Sequence, residues 1–252
     1  MRRDSPDVTE AGARLGFPFE PEWTAEQVIA ALEPLVGARR RDRISTVVSQ
    51  RLESVTLVMD APHDPHNGAA IIRSCDAFGV QSAHVVERRE RFVVARRIAK
   101  GTQHWVDIVR HNTVEGALSS LVSQGYELVM SHPRGRLLPE DLGRVERLAL
   151  VIGNEHDGIC EALERAATHS VRVPMRGFVE SLNVSVSAAV LLQAATRGRR
   201  GDLSPDAARR LYARGLFQSV PRAAEVLHAS MVRSARSEVP ESIADDRPPR
   251  LY

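Results

Sequence analysis

The chain has a single lysine, Lys100, among 34 basic residues, and only two cysteines in 252 residues. Cys75 and Cys160 stand in no C-x-x-C spacing, each in apolar, helix-like surroundings. That excludes a disulfide scaffold and predicts buried, reduced thiols in a cytoplasmic protein. No uncharged apolar run reaches the length of about 18 residues that a membrane span needs. The opening Met1-Arg2-Arg3-Asp4-Ser5-Pro6 has no hydrophobic leader, so a soluble protein without a membrane partner is expected. Three familiar signatures are also missing: no G-x-G-x-x-G follows the first strand, no G-x-x-x-x-G-K-[ST] occurs, and no G-x-S-x-G surrounds Ser181. A dinucleotide fold, a Walker phosphate loop and a serine-nucleophile elbow therefore lack support. His63, Asp64 and His66 share one turn, where polar residues serve as capping groups, so no metal is expected.

What the chain does have is arginine: all basic residues but Lys100. The guanidinium keeps its charge and forks onto phosphate, which suits nucleic acid. A GC-rich genome would raise the same count, so clustering says more than number. Arg39, Arg40, Arg41 and Arg43 form one cluster, Arg88 to Lys100 a second basic segment, and Arg197 to Arg200 a third. The first and third read either as RNA phosphate contacts or as solvated helix faces.

At 43% hydrophobic, the chain can bury a core of good size. Its organisation reads as an N-terminal arm with a helical basic extension (1–53), a core (54–200) and a C-terminal helical extension with a tail (201–252). Residues 1–22 look like a loose arm. Thr24 opens a helix with Val28, Ile29, Leu32 and Leu35 on its apolar side, and an amphipathic run follows through Val47, Val48 and Leu52. Apolar, β-branched runs predict strands at Ser54–Met59, Ala83–Val86, Trp105–Val109, Tyr126–Ser131, Leu148–Gly153 and Ser170–Val173. Helices are expected at Ala69–Phe78, stopped by Gly79, at Thr113–Gln124, stopped by Gly125, and at Ile159–Ala167. Further helices are expected at Ser204–Leu216 and Pro221–Arg233. Alternation of strands with helices predicts an α/β fold with a mostly parallel sheet and helices on both faces. Ligands of such sheets sit beyond the carboxyl ends of the strands, which here carry Asn67, Ser131, Gly153-Asn154-Glu155 and Pro174-Met175. Arg73 interrupts the apolar side of its helix.

The stretch from Arg172 to Arg197 is organised differently. A strand end meets Pro174, a glycine-containing turn follows, and Ser181-Leu182-Asn183 opens a long run of small and apolar residues. A loop feeding a helix start in this way exposes backbone groups that a ligand can use, although an ordinary capped helix has the same pattern.

Three separated stretches together resemble one family. Asn67-Gly68-Ala69-Ala70-Ile71-Ile72-Arg73-Ser74-Cys75-Asp76-Ala77-Phe78-Gly79 is similar to its first motif. Leu150-Val151-Ile152-Gly153-Asn154-Glu155-His156-Asp157-Gly158-Ile159 is similar to the second, and Val173-Pro174-Met175 through Ser181-Leu182-Asn183-Val184-Ser185 to the third. The family is the SpoU, or TrmH-like, RNA ribose 2'-O-methyltransferases of the SPOUT superfamily, and the resemblance covers roughly residues 39–200. Within it, Asp64-Pro65-His66-Asn67, Gly101-Thr102-Gln103-His104-Trp105-Val106 and the Arg39–Arg43 cluster look most like the enzymes that act on guanosine 18 in the D-loop of tRNA.

The resemblance implies a C-terminal deep trefoil knot, a pocket for S-adenosyl-L-methionine and a homodimer. It implies that Ser131, Val173 and Leu182 hold the cofactor through backbone groups, with Gly153 and Met175 shaping the pocket. It makes Arg73 the catalytic residue and Asn67 its positioning neighbour, with Glu155, Ser181 and Asn183 as polar support. The terminal extensions, through Arg39, Arg40, Arg41, Arg43 and Arg197, are expected to contact tRNA. Two other readings stay open: the same chemistry on ribosomal RNA or another tRNA position, and a non-catalytic RNA-binding knot protein. The short N-terminal extension weighs against the first, and the intact set Asn67, Arg73, Glu155 and Asn183 against the second.

Overall fold

A computed structural model describes residues 14–15, 23–88, 92, 101–154 and 156–237. The expected tail beyond these, Glu155 and nearly all of the second basic segment lie outside the described residues. The chain divides into two compact units, Ser45–Ala208 with Met1–Pro18, and Phe19–Ile44 with Arg209–Tyr252.

The smaller unit is helical. It contains α1 (Ala25–Leu32), the first part of α2 (Ala38–Val48), most of α7 (Pro205–Phe217) and α8 (Ala223–Ser237). Thr24 and Gln27 form a reciprocal capping box at the start of α1, as a Thr followed by Gln three residues later predicts. Val28 and Leu32 are buried, whereas Leu35, expected on the same apolar side, is 58% exposed, because Pro34 turns the chain into a 3-10 segment. The unit is built from both ends of its sequence: the Trp23 and His228 rings meet edge to face at 4.9 Å, and Tyr212 donates to Glu33 at 2.6 Å.

The larger unit is a seven-stranded sheet between two helical layers. In chain order it comprises β1 (Arg14–Leu15), β2 (Leu52–Asp60), α3 (Pro65–Ala77), β3 (Val80–Val86), β4 (Asp107–His111) and α4 (Val114–Ser123). Then follow β5 (Glu127–Ser131), β6 (Leu148–Ile152), α5 (Glu161–Ala166), β7 (His169–Val171) and α6 (Val184–Thr196). The order across the sheet is β1-β4-β3-β2-β6-β5-β7, and every pair is parallel except β1 with β4. The edge strand Arg14–Leu15 is a departure from the loose arm expected there. Alternation along β2 sends Leu57 and Met59 into the core under α3 and α6, and Val58 into the core under α4 and α5.

Local chemistry sets the helix ends. Asp64 accepts from the His66 amide at 2.8 Å and Thr113 from the Gly116 amide at 3.1 Å, capping α3 and α4. Gly79 and Gly125 stop the same helices with φ of +78 and +77. β4 begins two residues later than its apolar pattern suggests, because Thr102–His104 winds into a 3-10 turn ahead of it. Cys75 is fully buried, as expected, and burial pushes its thiol up to about 12. Cys160 departs from expectation: it is half-buried and sits at the N-cap of α5 instead of inside a helix, where its backbone amide donates to Asp60 at the end of β2 at 2.7 Å.

β7 is short, and the segment after β5 grips it. The amides of His132 and Leu137 donate to Val171 and Ser170 at 2.9 and 2.8 Å, and Arg172 N donates back to Leu137 at 3.0 Å. A Cβ on Gly135 would lie 2.4 Å from the Val171 carbonyl carbon, so only glycine lets these two segments approach.

Candidate functional site

The carboxyl ends of β5 and β6 and the chain leaving β7 enclose a cavity of about 500 Å3. All five residues expected to hold the cofactor, Ser131, Gly153, Val173, Met175 and Leu182, line it, and so do Ser181 and Asn183. They come from three segments spread over positions 131–183, brought together because parallel strands end on one edge of the sheet.

Two loops form most of the lining. The first follows β6. Asn154 Oδ1 accepts from the amides of His156 and Asp157 at 2.9 and 2.8 Å, and Asn154 N donates to Gly158 O at 3.1 Å. A Cβ on Gly153 would lie 2.4 Å from the Gly158 carbonyl carbon, so this loop folds back on itself only with glycine at that position. The second is the stretch 172–183, with Met175 half-buried and Phe178 wholly exposed. It ends at Asn183, whose Oδ1 accepts from Ser185 N at 2.8 Å and from Ser185 Oγ at 2.6 Å and so caps α6.

Asn183 also joins two motifs. Its Nδ2 donates to Asn67 Oδ1 at 3.1 Å, linking the first turn of α3 to the start of α6. That first turn is seated from behind: Phe92, 4% exposed, lies where a Cβ on Gly68 would come within 2.3 Å of its ring. Arg110 holds Phe92 through its carbonyl at 2.7 Å and pairs with Glu87, which accepts from the Phe92 amide at 2.9 Å.

Arg73 does not interrupt the buried side of its helix, which is Gly68, Ala69, Ile71, Ile72 and Cys75. It lies on the exposed face of α3 and makes no ion pair or hydrogen bond to another described residue. Glu155 lies outside the described residues. In the helical unit, Arg39, Arg40 and Arg43 are exposed and, with Gly37 and Ala38, line an open concavity at the start of α2. Arg41 is half-buried, and Arg40 Nε donates to Ser219 at 3.0 Å. Arg197, in the larger unit, is exposed at the end of α6.

Arg199, read from sequence with its neighbours as a phosphate contact, turns inward instead. It donates to the carbonyls of Ala195 and Glu146, both at 2.8 Å, and to Val145 O. Burial lowers its pKa, and its hydrogen bonds fix the end of α6 to the loop preceding β6. Glu164 and Glu180 also line the cavity and were not singled out from sequence. Nothing in their spacing distinguishes them from surface carboxylates.

Comparison with known proteins gives the same grouping of segments. The profile of the SpoU rRNA Methylase family matches residues 54–193. The tRNA (guanosine(18)-2'-O)-methyltransferase of Escherichia coli K12 is 32% identical over 162 residues, covering 64% of this chain and 71% of that protein. The crystal structure of the "A. aeolicus TrmH/SpoU tRNA modifying enzyme" has a similar fold at 24% identity, with a TM-score of 0.65 over 73% of this chain and 98% of that one. An AdoMet-bound rRNA methyltransferase from Sinorhizobium meliloti is 26% identical, with a TM-score of 0.53 over 63% of this chain and 59% of that one.

Proposed function

The chain belongs to the SpoU methylase family, and from that premise we propose that it uses S-adenosyl-L-methionine to methylate the 2'-hydroxyl of guanosine 18 in the D-loop of tRNA. The observation that carries this reading is convergence: segments of the second and third motifs meet at one cavity, and the first motif is tied to them where Asn183 donates to Asn67. The cavity fits the cofactor. Its volume is in the usual range for small-molecule sites, about 300–1,000 Å3, and Val173, Met175 and Leu182 offer apolar surface beside the polar Ser131 and Asn183. Glu164 and Glu180 complement a positively charged ligand. When bound, the cofactor supplies an electrophilic methyl group on a sulfonium.

The protein's own contribution is positioning and proton handling. A ribose hydroxyl is a weak nucleophile whose proton must leave as the oxygen attacks. In our reading Arg73 is clamped against the neighbouring RNA phosphate and desolvated there, orients the hydroxyl and relays its proton, releasing one of its own guanidinium protons to the phosphate or water as it takes up the hydroxyl's, while Asn67 and Asn183 fix the helix starts around it. Ser181 and Glu155 complete the polar surround. Arg39, Arg40, Arg41, Arg43 and Arg197 bind tRNA phosphates, which makes binding strongly salt-dependent.

We extend the reading to assembly and topology. The chain acts as a homodimer through the exposed apolar surface of Phe178, Val179, Val186 and Val190, which is 38% exposed at its least and 109% at its most. The chain after β7 threads a deep trefoil knot; the grip of residues 132–137 on β7 and the packing of α6 against the Pro139–Arg144 turn support this. A second reading, ribosomal RNA as substrate, has support from the family description and the Sinorhizobium meliloti neighbour.

Transfer of labelled methyl groups to bulk tRNA and to ribosomal RNA transcripts, with mapping of the product, decides between them. Methylation at guanosine 18 is expected. Label on ribosomal RNA favours the second reading, and no label on either with RNA still bound sinks both. In the same assay Arg73→Lys should lose most turnover with RNA binding retained, since an ammonium cannot fork onto phosphate and hydroxyl together.

A further inference from the structure

Asp60, the last residue of β2, is a carboxylate with no solvent exposure. A buried charge of this kind is costly unless it is paired and hydrogen-bonded. Three bonds meet it: Arg88 Nε donates to Oδ1 at 2.7 Å, Arg88 Nη2 to Oδ2 at 3.1 Å, and the backbone amide of Cys160 to Oδ2 at 2.7 Å. The first two lie at the sheet, between the ends of β2 and β3. The third reaches the far end of the loop that follows β6.

That loop forms one side of the cavity. It leaves β6 after Ile152, which pairs with Met59 in β2, and it returns to Asp60, the next residue of the same strand. Its two ends are thus held on neighbouring residues of one buried strand. Between them, Gly153, Asn154, Gly158 and Ile159 face the cavity, and the Asn154 bonds hold the loop's own shape without fixing its place on the sheet. The Asp60 to Cys160 bond does the latter at the returning end, and partway along the loop the His156 ring meets His63 edge to face at 4.9 Å.

We propose that Asp60 is a positioning residue for the cofactor: locked in place by Arg88, its carboxylate sets the position of the 153–160 loop through the Cys160 amide, and with it one side of the cavity. The proposal rests on the cofactor reading given above. Its sequence signal was slight, because an Asp after a strand reads as an ordinary turn residue.

Calorimetric titration of the full chain with S-adenosyl-L-methionine, run well below the melting temperature, tests it. Cys160→Pro removes the backbone N–H that donates to Asp60 and leaves the Arg88 donors in place, and the observed φ of −68 already suits proline. Read against Cys160→Ala, which loses the thiol but keeps the amide, Cys160→Pro should raise Kd by about tenfold or more, since small misplacements of a binding wall are costly. Asp60→Ala should do the same, and Asp60→Asn, which keeps an acceptor for the amide, should recover most of the affinity. A stability control is Asp76→Ala, which breaks the Arg51 ion pair instead. It should lower the melting temperature with Kd changed by less than about twofold. If Cys160→Pro and Asp60→Ala bind as tightly as their references, or if Asp60→Asn is as impaired as Asp60→Ala, the proposal is wrong. If the unsubstituted chain binds no S-adenosyl-L-methionine, the cofactor reading itself has failed.

Discussion

The two loops that line the cavity are held in opposite ways. The 153–160 loop is tied at both ends to β2 and closed by the Asn154 bonds, and a glycine contact leaves it no slack. The 172–183 loop makes hydrogen bonds at its two ends, through Arg172 and Asn183, and exposes Phe178 and Val179 between them. One side of the site is finished within the chain. The other has apolar surface still to bury, which is what a second copy or a bound RNA would cover. The lesson is that a single cavity can join a wall held by internal bonds to one that leaves apolar surface exposed.

The strongest way to break this comparison is a pair of glycine substitutions. Gly153→Ala forces a Cβ onto the Gly158 backbone and should cost about 2–3 kcal/mol of stability, with cofactor binding lost. Gly177→Ala meets nothing within 4 Å and should stay within about 0.5 kcal/mol of the parent in urea titrations. Equal effects at the two sites would abolish the distinction. Next in size is Phe178→Asp. Sedimentation should find the proposed homodimer weakened by about 2 kcal/mol, the range of an interfacial aromatic, with monomer stability unchanged.

A pH titration addresses the sheet beneath both loops. His84 and His111 are buried with stacked rings and a 2.8 Å contact between ring nitrogens, and burial lowers the pKa of His111 from 6.5. A folded pKa below the unfolded one means that the unfolded chain takes up more protons on acidification. Stability should therefore fall as pH drops through about 6.5 and level off below the folded value. Thermal melts from pH 8 to 5 check the sign, and His111→Gln should flatten the profile. The smallest effect is chemical. Cys160 reports on the tied loop and should alkylate slowly at pH 7.5, whereas Cys75, with its thiol pushed up to about 12, should remain unmodified until the chain unfolds.

Local chemistry made much of the larger unit legible. Apolar runs marked the strands to within a few residues, Thr113 and Asn183 marked helix starts, and Gly79 and Gly125 marked helix ends, whereas α3 begins at Pro65 on the Asp64 cap, four residues ahead of the expected Ala69. Each of these depends on neighbours within a turn or a strand. Arg199 and Cys160 were misjudged because their surroundings come from distant segments: the carbonyls of Val145 and Glu146 for one, the Asp60 carboxylate for the other. Arg73 was misjudged on a narrower ground, since an apolar count along a helix does not say which arc faces the sheet.

The sequence by itself determined the class of fold, the parallel strands and the residues that gather at their carboxyl ends, because side-chain periodicity and turn chemistry are short-range. Only the tertiary structure decided strand order, the edge strand at Arg14–Leu15, the union of both chain ends in one helical unit, and the burial of Asp60 beneath the cavity loop. Those depend on which distant surfaces meet. A carboxylate at the end of a strand has the same local pattern whether water or a guanidinium and an amide lie beyond it.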